Sequence, residues 1–337
     1  MSTRLFEIKL KGKVLRVPSV CIDGKTVIVQ GKWLRIASVY DEDWMEGTAV
    51  TDPDLFISQL REEGATADIF TFAQRIPDTE PKYPYPVTWD NAAVVPITTY
   101  AEWWEKRLPQ VSRKNVRRAI KRGVVARLVA FDDDLVRDIV GLFDETVVKQ
   151  GRLFAHRGKD FAVVKKDLSS MLERSEFIGV YWESELIGFI KLVYMGKVAS
   201  ILHILTKDKH YDKRPTNILI AKAVEICEQR KVSHLWFGRY TYGNKTNCSL
   251  REFKHRNGFE ELRFPSYCVP LTLKGRIAIL LRLHRGLIGL LPAQFIAYLL
   301  KARSKLLQLL LPKLRASRTT RPPVKESEEG EFEGEAR

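Results

Sequence analysis

The residues best suited to proton transfer lie in or just after two predicted apolar strands. His203 lies within a predicted strand at residues 198–205, and Tyr240 and Tyr242 follow one at residues 233–237. An imidazole accepts a proton near neutral pH, and a phenol can donate a proton or relay one through water. Because His203 alternates with apolar neighbours, a histidine satisfied within the core is the alternative interpretation. These three residues are candidates for acid–base catalysis.

A fourth catalytic candidate, Lys254, lies in a predicted helix that ends at Asn257, Gly258 and Phe259. Its ammonium group would suit a phosphate, a carboxylate or a developing thiolate. The alternative is an ordinary surface lysine on a helix with one apolar face. Asn247, just before this helix, could orient a substrate or help to bind an anionic ligand.

Basic residues cluster in the loop before a predicted helix at residues 216–230. The N-terminus of a helix presents backbone amides that bind phosphate groups. The residues expected to bind an anionic ligand such as a phosphate group here are Lys209, Lys213, Arg214, Thr216 and Asn217. A solvated basic loop is the alternative, because single charge clusters are common on protein surfaces.

Two further segments are rich in side chains that could bind a charged substrate. The first is a basic helix at residues 112–122, and the second is a glycine-bounded loop at residues 149–159. Loops of this kind often carry function, and an ordinary exposed linker is the alternative. The predicted substrate-binding residues are Arg117, Arg118, Lys121, Gln150, Arg152, His156 and Arg157.

Other chemistries find no support in the sequence. Its four cysteines, Cys21, Cys227, Cys248 and Cys268, show no CxxC spacing and predict reduced thiols rather than a zinc site or disulfides. No Ser-His-Asp or Cys-His-Asp order stands out, so a covalent mechanism is not favoured. We therefore expect no metal.

The elements that must position these residues follow a definite order between residues 124 and 270. Apolar alternation predicts strands, and a 3.6-residue periodicity predicts helices. The predicted strands span residues 124–131, 177–182, 186–194, 198–205, 233–237 and 264–270, and the predicted helices span 132–149, 160–174, 216–230 and 250–259. A helix between two strands implies a parallel pair with a right-handed crossover, whose diverging ends form a cleft. The predicted fold class is α+β, with a mixed sheet and helices on both faces.

This order, β-α-α-β-β-β-α-β-α-β, resembles the fold of GNAT acyltransferases, and the run Phe253-Lys254-x-x-x-Gly258-Phe259 resembles its FemAB-like branch. The resemblance implies a cleft that binds acyl-CoA, or an aminoacyl-tRNA, as the donor. Lys254 stands where many GNAT enzymes have the tyrosine that protonates the leaving thiolate. Arg214 and Thr216 stand where the phosphate-binding loop of the family has glycines.

The first hundred residues predict a second, less regular unit. Strands are predicted at residues 4–10, 14–17, 26–30, 32–40 and 67–72, with helices at 52–63 and 100–121, the latter interrupted or kinked at Pro109. The resemblance implies a degenerate GNAT-like unit at residues 1–123, in tandem with an acyltransferase unit at residues 124–272. Basic amphipathic helices are predicted at residues 273–320, followed by an acidic disordered tail at 321–337.

The formal net charge of +15 comes mainly from one C-terminal block. Residues 262–325 contain 13 lysines and arginines and no acidic residue, whereas the last twelve residues contain six glutamates. Leucine-rich basic helices suit the interface of an anionic membrane, and packing over the N-terminal unit is the alternative. The uncharged run at residues 286–300 is too short to span a bilayer, and the N-terminus lacks an apolar signal core. We therefore expect a cytoplasmic protein, peripheral at the inner face of the membrane.

Together these features predict an N-acyltransferase that moves an acyl or aminoacyl group onto an amine of an amino sugar, an envelope precursor or a lipid-linked glycan. Its expected partners are a small-molecule or glycan acceptor and a membrane surface, with no nucleic acid other than a donor tRNA. The alternative is a catalytically silent GNAT-like scaffold that binds an anionic membrane surface or nucleic acid.

Overall fold

The computed structural model describes residues 4–10, 13–40, 50–149, 152–242 and 249–285. Its strands are β1 (Arg4–Leu10), β2 (Lys13–Ile22), β3 (Lys25–Gln30), β4 (Ile36–Val39), β5 (Ile69–Ala73), β6 (Val87–Pro96), β7 (Val125–Val129), β8 (Val148–Lys149), β9 (Arg152–Leu153), β10 (Ser175–Trp182), β11 (Glu185–Met195), β12 (Val198–Thr206), β13 (His234–Trp236) and β14 (Glu260–Pro270). Its α-helices are α1 (Pro53–Glu62), α2 (Tyr100–Glu102), α3 (Gln110–Lys121), α4 (Asp133–Glu145), α5 (Phe161–Leu168), α6 (Pro215–Gln229), α7 (Ser249–Arg256) and α8 (Leu273–Leu280). A π-helical turn (Trp103–Arg107) continues α2, and 3-10 turns span Leu172–Arg174, Asp208–Lys213 and Leu283–Arg285.

Twelve of these strands form one mixed sheet within the described residues, in the order β1-β2-β3-β4-β5-β14-β6-β13-β12-β11-β10-β7. β4 pairs with β5, and β12 with β13, in the parallel direction, whereas the other neighbours are antiparallel. The predicted mixed sheet is confirmed, as is the parallel pair on either side of α6. β14 lies between β5 and β6, so the last strand joins the two halves of the sheet. The division into units at residues 123 and 124 stays a prediction.

Helices cover both faces of the sheet, as predicted. Successive side chains of a strand point to opposite faces. Phe70 and Val269 pack in the core that α1 covers, whereas their neighbours Ile69 and Cys268 pack against α8. In the other half, α3 and α6 cover one face and α4 and α5 cover the other.

The pairing of β14 with β6 relates these two halves. Tyr267 packs in the core of α1, and Glu261, an even number of residues away on β14, pairs with Ala93 in the core of α6. Residues paired across a ladder share a face. The helices α1, α3 and α6 therefore lie on one face of the sheet, and α4, α5 and α8 lie on the other.

The strand β6 was not predicted from the sequence. Its middle residues, Asp90 and Asn91, belong to types that are depleted in strands, and they interrupt the apolar pattern. The tertiary context overrides this preference, because β6 fills the space between β14 and β13 and pairs with both.

Several predicted helices and strands are longer than the observed ones. The helix predicted at residues 132–149 ends at Glu145, where three successive β-branched residues, Thr146 to Val148, disfavour helix. The helix predicted at residues 160–174 ends at Leu168. Of the interruption or kink predicted at Pro109, the structure shows an interruption, since Leu108 is extended and α3 begins at Gln110. The strand predicted at residues 32–40 is limited to Ile36–Val39.

Gly258 ends the α7 segment in a left-handed conformation, with φ of +77°. A Cβ atom at this position would lie 2.7 Å from Nε1 of the buried Trp103. Glycine is needed both for the positive φ and for the close approach of the indole ring. The helix end that the Asn-Gly-Phe run predicts is thus confirmed.

Candidate functional site

A gap opens in the sheet where β12 and β13 diverge. The two strands pair at three positions, the last of which joins Ser200 and Trp236, and β12 then continues to Thr206. A bulge at Leu202 interrupts the pairing of β12 with β11, because Lys191 pairs with His203 and the next pair skips to Ile201. Bulges of this kind bend a strand and change the direction of its side chains. The end of β12 is therefore turned away from β13.

A cavity of about 360 Å³ fills this gap, and we call it the β12–β13 cavity. Its walls come from both faces of the sheet, since Phe143 and Leu205 belong to the core under α4, whereas Phe237 and Phe253 pack against the core of α6. The lining residues are Phe143, Phe154, His156, Phe189, Leu202, His203, Ile204, Leu205, Thr206, Thr216, Phe237, Leu250 and Phe253. Its surface is mainly apolar and aromatic, with two histidines and two threonines as polar groups.

The two histidines face each other across the wall of this cavity. The ring centroids of His156 and His203 are 6.3 Å apart, with the rings perpendicular. His156 also lies against the rings of Phe143 and Phe154, at 5.1 Å and 5.2 Å. Both side chains are half-buried. The sequence predicted His203 as a catalytic residue and His156 as a substrate-binding one, and the fold brings them together.

The other three catalytic candidates lie beside the β12–β13 cavity and are not among the residues that line it within the described chain. Tyr240 is buried beneath the guanidinium group of Arg251, and Tyr242 is exposed. Lys254 is 1% exposed, so the alternative interpretation of a surface lysine is wrong. Its Nζ atom donates a hydrogen bond to the carbonyl oxygen of Arg239 (2.5 Å) and lies over the rings of Phe237 and Tyr242. This lysine therefore fastens α7 to the loop after β13.

Asn91 fastens the same loop from the other side, and sequence reasoning missed it. Its side-chain oxygen accepts from the amide of Thr241 (2.6 Å), and its side-chain nitrogen donates to the carbonyl of Thr241 (3.2 Å). Arg239 also pairs with Asp90 at 2.8 Å. No sequence signal pointed to Asn91, because the strand that carries it was itself not predicted.

A larger cavity, of about 710 Å³, lies on the α8 face of the sheet. Trp236, Asp90, Arg239 and Phe264 are among its lining residues. Trp236 and Phe237 are consecutive residues that line different cavities. The two cavities therefore adjoin the end of β13 from different directions.

Comparison with solved structures identifies the fold. The crystal structure of FemX matches with a TM-score of 0.54 and 12% sequence identity, over 83% of this chain and 90% of that chain. The C-terminal domain of a putative lysylphosphatidylglycerol synthetase from Agrobacterium fabrum matches with a TM-score of 0.51 and 13% identity, over 78% and 87% of the two chains. The chain has a GNAT-like, FemAB-like fold. No protein-family model matches the sequence, and a search of curated proteins finds no match.

In the loop between β12 and α6, which the sequence predicts to bind a pyrophosphate, several backbone amides are already occupied. The amides of His210, Arg214 and Asn217 donate to carbonyl groups within the loop, and the amide of Lys207 donates to Ile187. Pro215, the first residue of α6, has no amide hydrogen. Arg214 takes a left-handed conformation, with φ of 58°, at a position where glycine would be favoured. In this conformation the loop is a poor fit for a pyrophosphate.

Carboxylates also neutralise part of the basic charge of this loop. Glu185 accepts from Lys207 (2.8 Å), Lys209 (2.8 Å) and His210 (3.0 Å). Glu145 accepts from Lys207 at 2.7 Å. Hydrogen bonds from Lys207 and Lys209 outweigh the effect of burial and lower the pKa of Glu185 to about 2. Burial alone would lower the pKa of Lys207, but its bonds to the two glutamates leave that pKa raised.

This network makes a prediction about stability at low pH. The folded-state pKa of Glu185 lies below its ordinary value of 4.5, so its contribution to stability is complete above that value. It is lost as the pH falls through about 2. We expect the urea midpoint of the protein to fall between pH 7 and pH 3 by more than that of Glu185→Gln. The exposed Glu183→Gln serves as the control and should behave like the parent; parallel curves for the parent and Glu185→Gln would contradict the prediction.

The remaining donor-binding candidates make contacts within the protein. Lys213 lies over the ring of Trp182 at 4.3 Å, and Arg214 lies over the ring of Tyr211 at 4.8 Å. Thr216 lines the β12–β13 cavity. The side-chain nitrogen of Asn217 donates to Asn257 (2.9 Å), which ties α6 to α7. Asn247 and Gln150, together with the side chain of Arg152, lie outside the described residues.

The basic helix predicted at residues 112–122 corresponds to α3, which lies next to this loop. Arg122 donates to the carbonyl and the carboxylate of Asp212, at 2.6 Å and 3.1 Å. Within the described chain, no ion pair involves the exposed side chains of Lys114, Arg117, Arg118 and Lys121. These four residues form what we call the α3 cation patch. Arg157, by contrast, donates to the carbonyl of Asp144 (3.0 Å) and holds its own loop.

Proposed function

We propose that the protein transfers an aminoacyl group from an activated ester to an amine, with the reaction in the β12–β13 cavity. The observation that carries this proposal is the pair of histidines, His156 and His203, in a mainly apolar cavity between two splayed parallel strands. In GNAT-like folds this is the cleft that receives the acyl donor. Direct transfer of a group between two bound substrates needs no metal and no covalent intermediate on the protein.

The reaction requires one proton to leave the attacking amine. The amine nitrogen attacks the ester carbonyl, a C–N bond forms and the ester C–O bond breaks. We assign to His203 the role of general base: it would accept the proton from the amine and then donate it to the leaving ester oxygen. β12 pairs with β13 only as far as Ser200. We assign the contact with the developing oxyanion to backbone amides near the end of β12.

Two observations favour an aminoacyl-tRNA over acyl-CoA as the donor. Several amides of the loop before α6, and its lysines Lys207 and Lys209, are occupied by contacts within the protein, which leaves a poor site for a pyrophosphate. The α3 cation patch, beside the same loop, offers four charges to a longer polyanion. The matching domain from Agrobacterium fabrum is named after a lysylated phospholipid, which agrees with an aminoacyl donor.

The proposal also covers the chemical class of the acceptor and its route into the site. We assign the amine of an amino sugar, an envelope precursor or a lipid-linked glycan, entering through the larger cavity on the α8 face. The ion pair of Asp90 and Arg239 there offers polar atoms to a sugar, and Trp236 offers an indole ring for stacking.

The test compares donors, with glucosamine as a probe amine. The full chain is incubated with tRNA charged with one radiolabelled amino acid at a time, or with labelled acetyl-CoA, and protein-dependent labelling of glucosamine is measured. We expect transfer from at least one aminoacyl-tRNA and none from acetyl-CoA. Transfer from acetyl-CoA alone would overturn the donor assignment. Binding of tRNA without turnover of any charged species, on glucosamine and on extracted envelope precursors, would favour the silent scaffold instead.

A further inference from the structure

The helix α8 is apolar on two sides, and the residues that the structure describes cover only one of them. Its inner side carries the small residues Gly275 and Ala278, which pack on Ile69 and Cys268 of the sheet. A Cβ atom at Gly275 would lie 1.9 Å from the carbonyl oxygen of Asp68, so the helix backbone sits directly on the sheet. A contiguous apolar surface that is exposed on a folded protein commonly marks an interaction site.

The outer side of α8 presents large apolar side chains to solvent. Leu273, Ile277 and Leu280 follow each other at a spacing of four and three residues, and Leu281 comes directly after the helix. Leu273 is 73% exposed and Leu280 is 82% exposed. Trp33, 64% exposed, extends this surface, and the ammonium group of Lys274 lies 5.0 Å from its ring centroid. We call these five apolar residues the α8 ridge.

The charged residues that lie near the α8 ridge in the sequence are all basic. Arg276 and Arg282 are exposed beside the ridge, and Lys274 lies at its base. Residues 262–325 contain no aspartate or glutamate. The nearest acid in space among those that contact α8 is Asp68, which is buried and within 3.4 Å of Lys274.

Leucine and tryptophan side chains flanked only by cations match the interface of an anionic bilayer, where the ridge would enter the acyl region and the arginines would meet phosphate groups. A helix of this length reaches about 12 Å, far short of a bilayer, so it would lie in the membrane plane. In the described part of the chain, no helix is long and apolar enough to span a membrane.

We propose that the α8 ridge, with Arg276 and Arg282, docks the protein on anionic phospholipid. This inference is independent of the proposed transfer reaction. Because α3 and α8 lie on opposite faces of the sheet, docking through α8 leaves the α3 cation patch accessible to a soluble polyanion. The larger cavity, which opens on the α8 face, would lie towards the lipid.

The test is co-sedimentation of the full chain with sucrose-loaded vesicles, either of phosphatidylcholine or of phosphatidylcholine mixed with phosphatidylglycerol. We expect binding to the mixed vesicles that weakens with added salt. Leu280→Glu should lower the partition coefficient roughly tenfold or more, because a buried leucine is lost and a negative charge meets an anionic surface. The matched control is Leu55→Glu, an exposed leucine of α1 on the opposite face of the sheet, which should bind like the parent.

A variant that removes two positive charges tests the attraction to anionic lipid separately from the insertion of the apolar ridge. Arg276→Gln/Arg282→Gln should weaken binding to the mixed vesicles and leave any weak binding to pure phosphatidylcholine unchanged. Equal binding of the parent to both vesicle types would overturn the requirement for anionic lipid. Absence of vesicle binding, or binding by Leu280→Glu equal to that of the parent, would overturn the docking role of α8. If light scattering shows that the parent self-associates and Leu280→Glu does not, while neither binds vesicles, the ridge is an interface between copies of the chain.

Discussion

Replacing His203 with asparagine is expected to lower kcat for aminoacyl transfer by about 10²- to 10⁴-fold, the usual contribution of a positioned general base. Asparagine keeps a polar group of similar size in the β12–β13 cavity but cannot accept the proton of the amine. The measurement is single-turnover transfer from the charged tRNA to glucosamine across a range of pH. The variant should be slower than the parent at every pH of the series.

His234 supplies the matched control for this experiment. It lies on β13, its Nδ1 atom is 2.9 Å from the hydroxyl of Ser233, and burial lowers its pKa. It is not among the residues that line the β12–β13 cavity. His234→Asn should therefore retain the parent's rate. If His156→Asn abolishes transfer while His203→Asn does not, the base is His156; if both variants keep the parent's rate, the reaction takes place elsewhere.

The second largest expected effect is a loss of tRNA affinity when three of the four residues of the α3 cation patch are neutralised. For Arg117→Gln/Arg118→Gln/Lys121→Gln we expect tRNA affinity to fall about ten- to a hundredfold at moderate salt. Removing three phosphate contacts should also reduce the slope of log K against log salt concentration by about two to three. Filter binding of the charged tRNA over a series of salt concentrations measures both quantities.

The control removes three cations from the opposite face of the sheet. Arg137 on α4 and Lys165 and Lys166 on α5 are exposed, as the patch residues are. The corresponding triple glutamine variant should retain the salt slope of the parent. Equal losses in the two triple variants would mean that tRNA responds to net charge alone and that α3 is not its binding surface.

The sequence predicted the elements of residues 124–270 well because their apolar patterns are strong and local. The strands β10, β11 and β12 are apolar runs separated by short polar turns, and the helix α6 has a continuous buried stripe. The resemblance drawn from Phe253 to Phe259 is confirmed at the level of the fold. The strand β6 escaped prediction because Asp90 and Asn91 oppose strand formation locally.

The candidate site could be predicted only in part, because its geometry depends on residues far apart in the chain. His203 was identified from its own strand, but its proximity to His156 results from the packing of the loop after β9. The buried state of Lys254 depends on the carbonyl of Arg239, which a helical pattern does not reveal. Likewise, Glu145 and Glu185 come from two distant elements to pair with lysines that the sequence alone assigned to a donor.

The position of β14 has a consequence for the synthesis of the chain. β5 and β6 each present an edge that only β14 covers, and β14 ends at Pro270. At ordinary elongation rates, a ribosome needs roughly 10 to 35 s to advance from the end of β6 to the end of β14. During that interval both edges can pair with other nascent chains. Chaperone dependence during translation, and aggregation of prematurely terminated chains, are therefore expected to concentrate on these two strands.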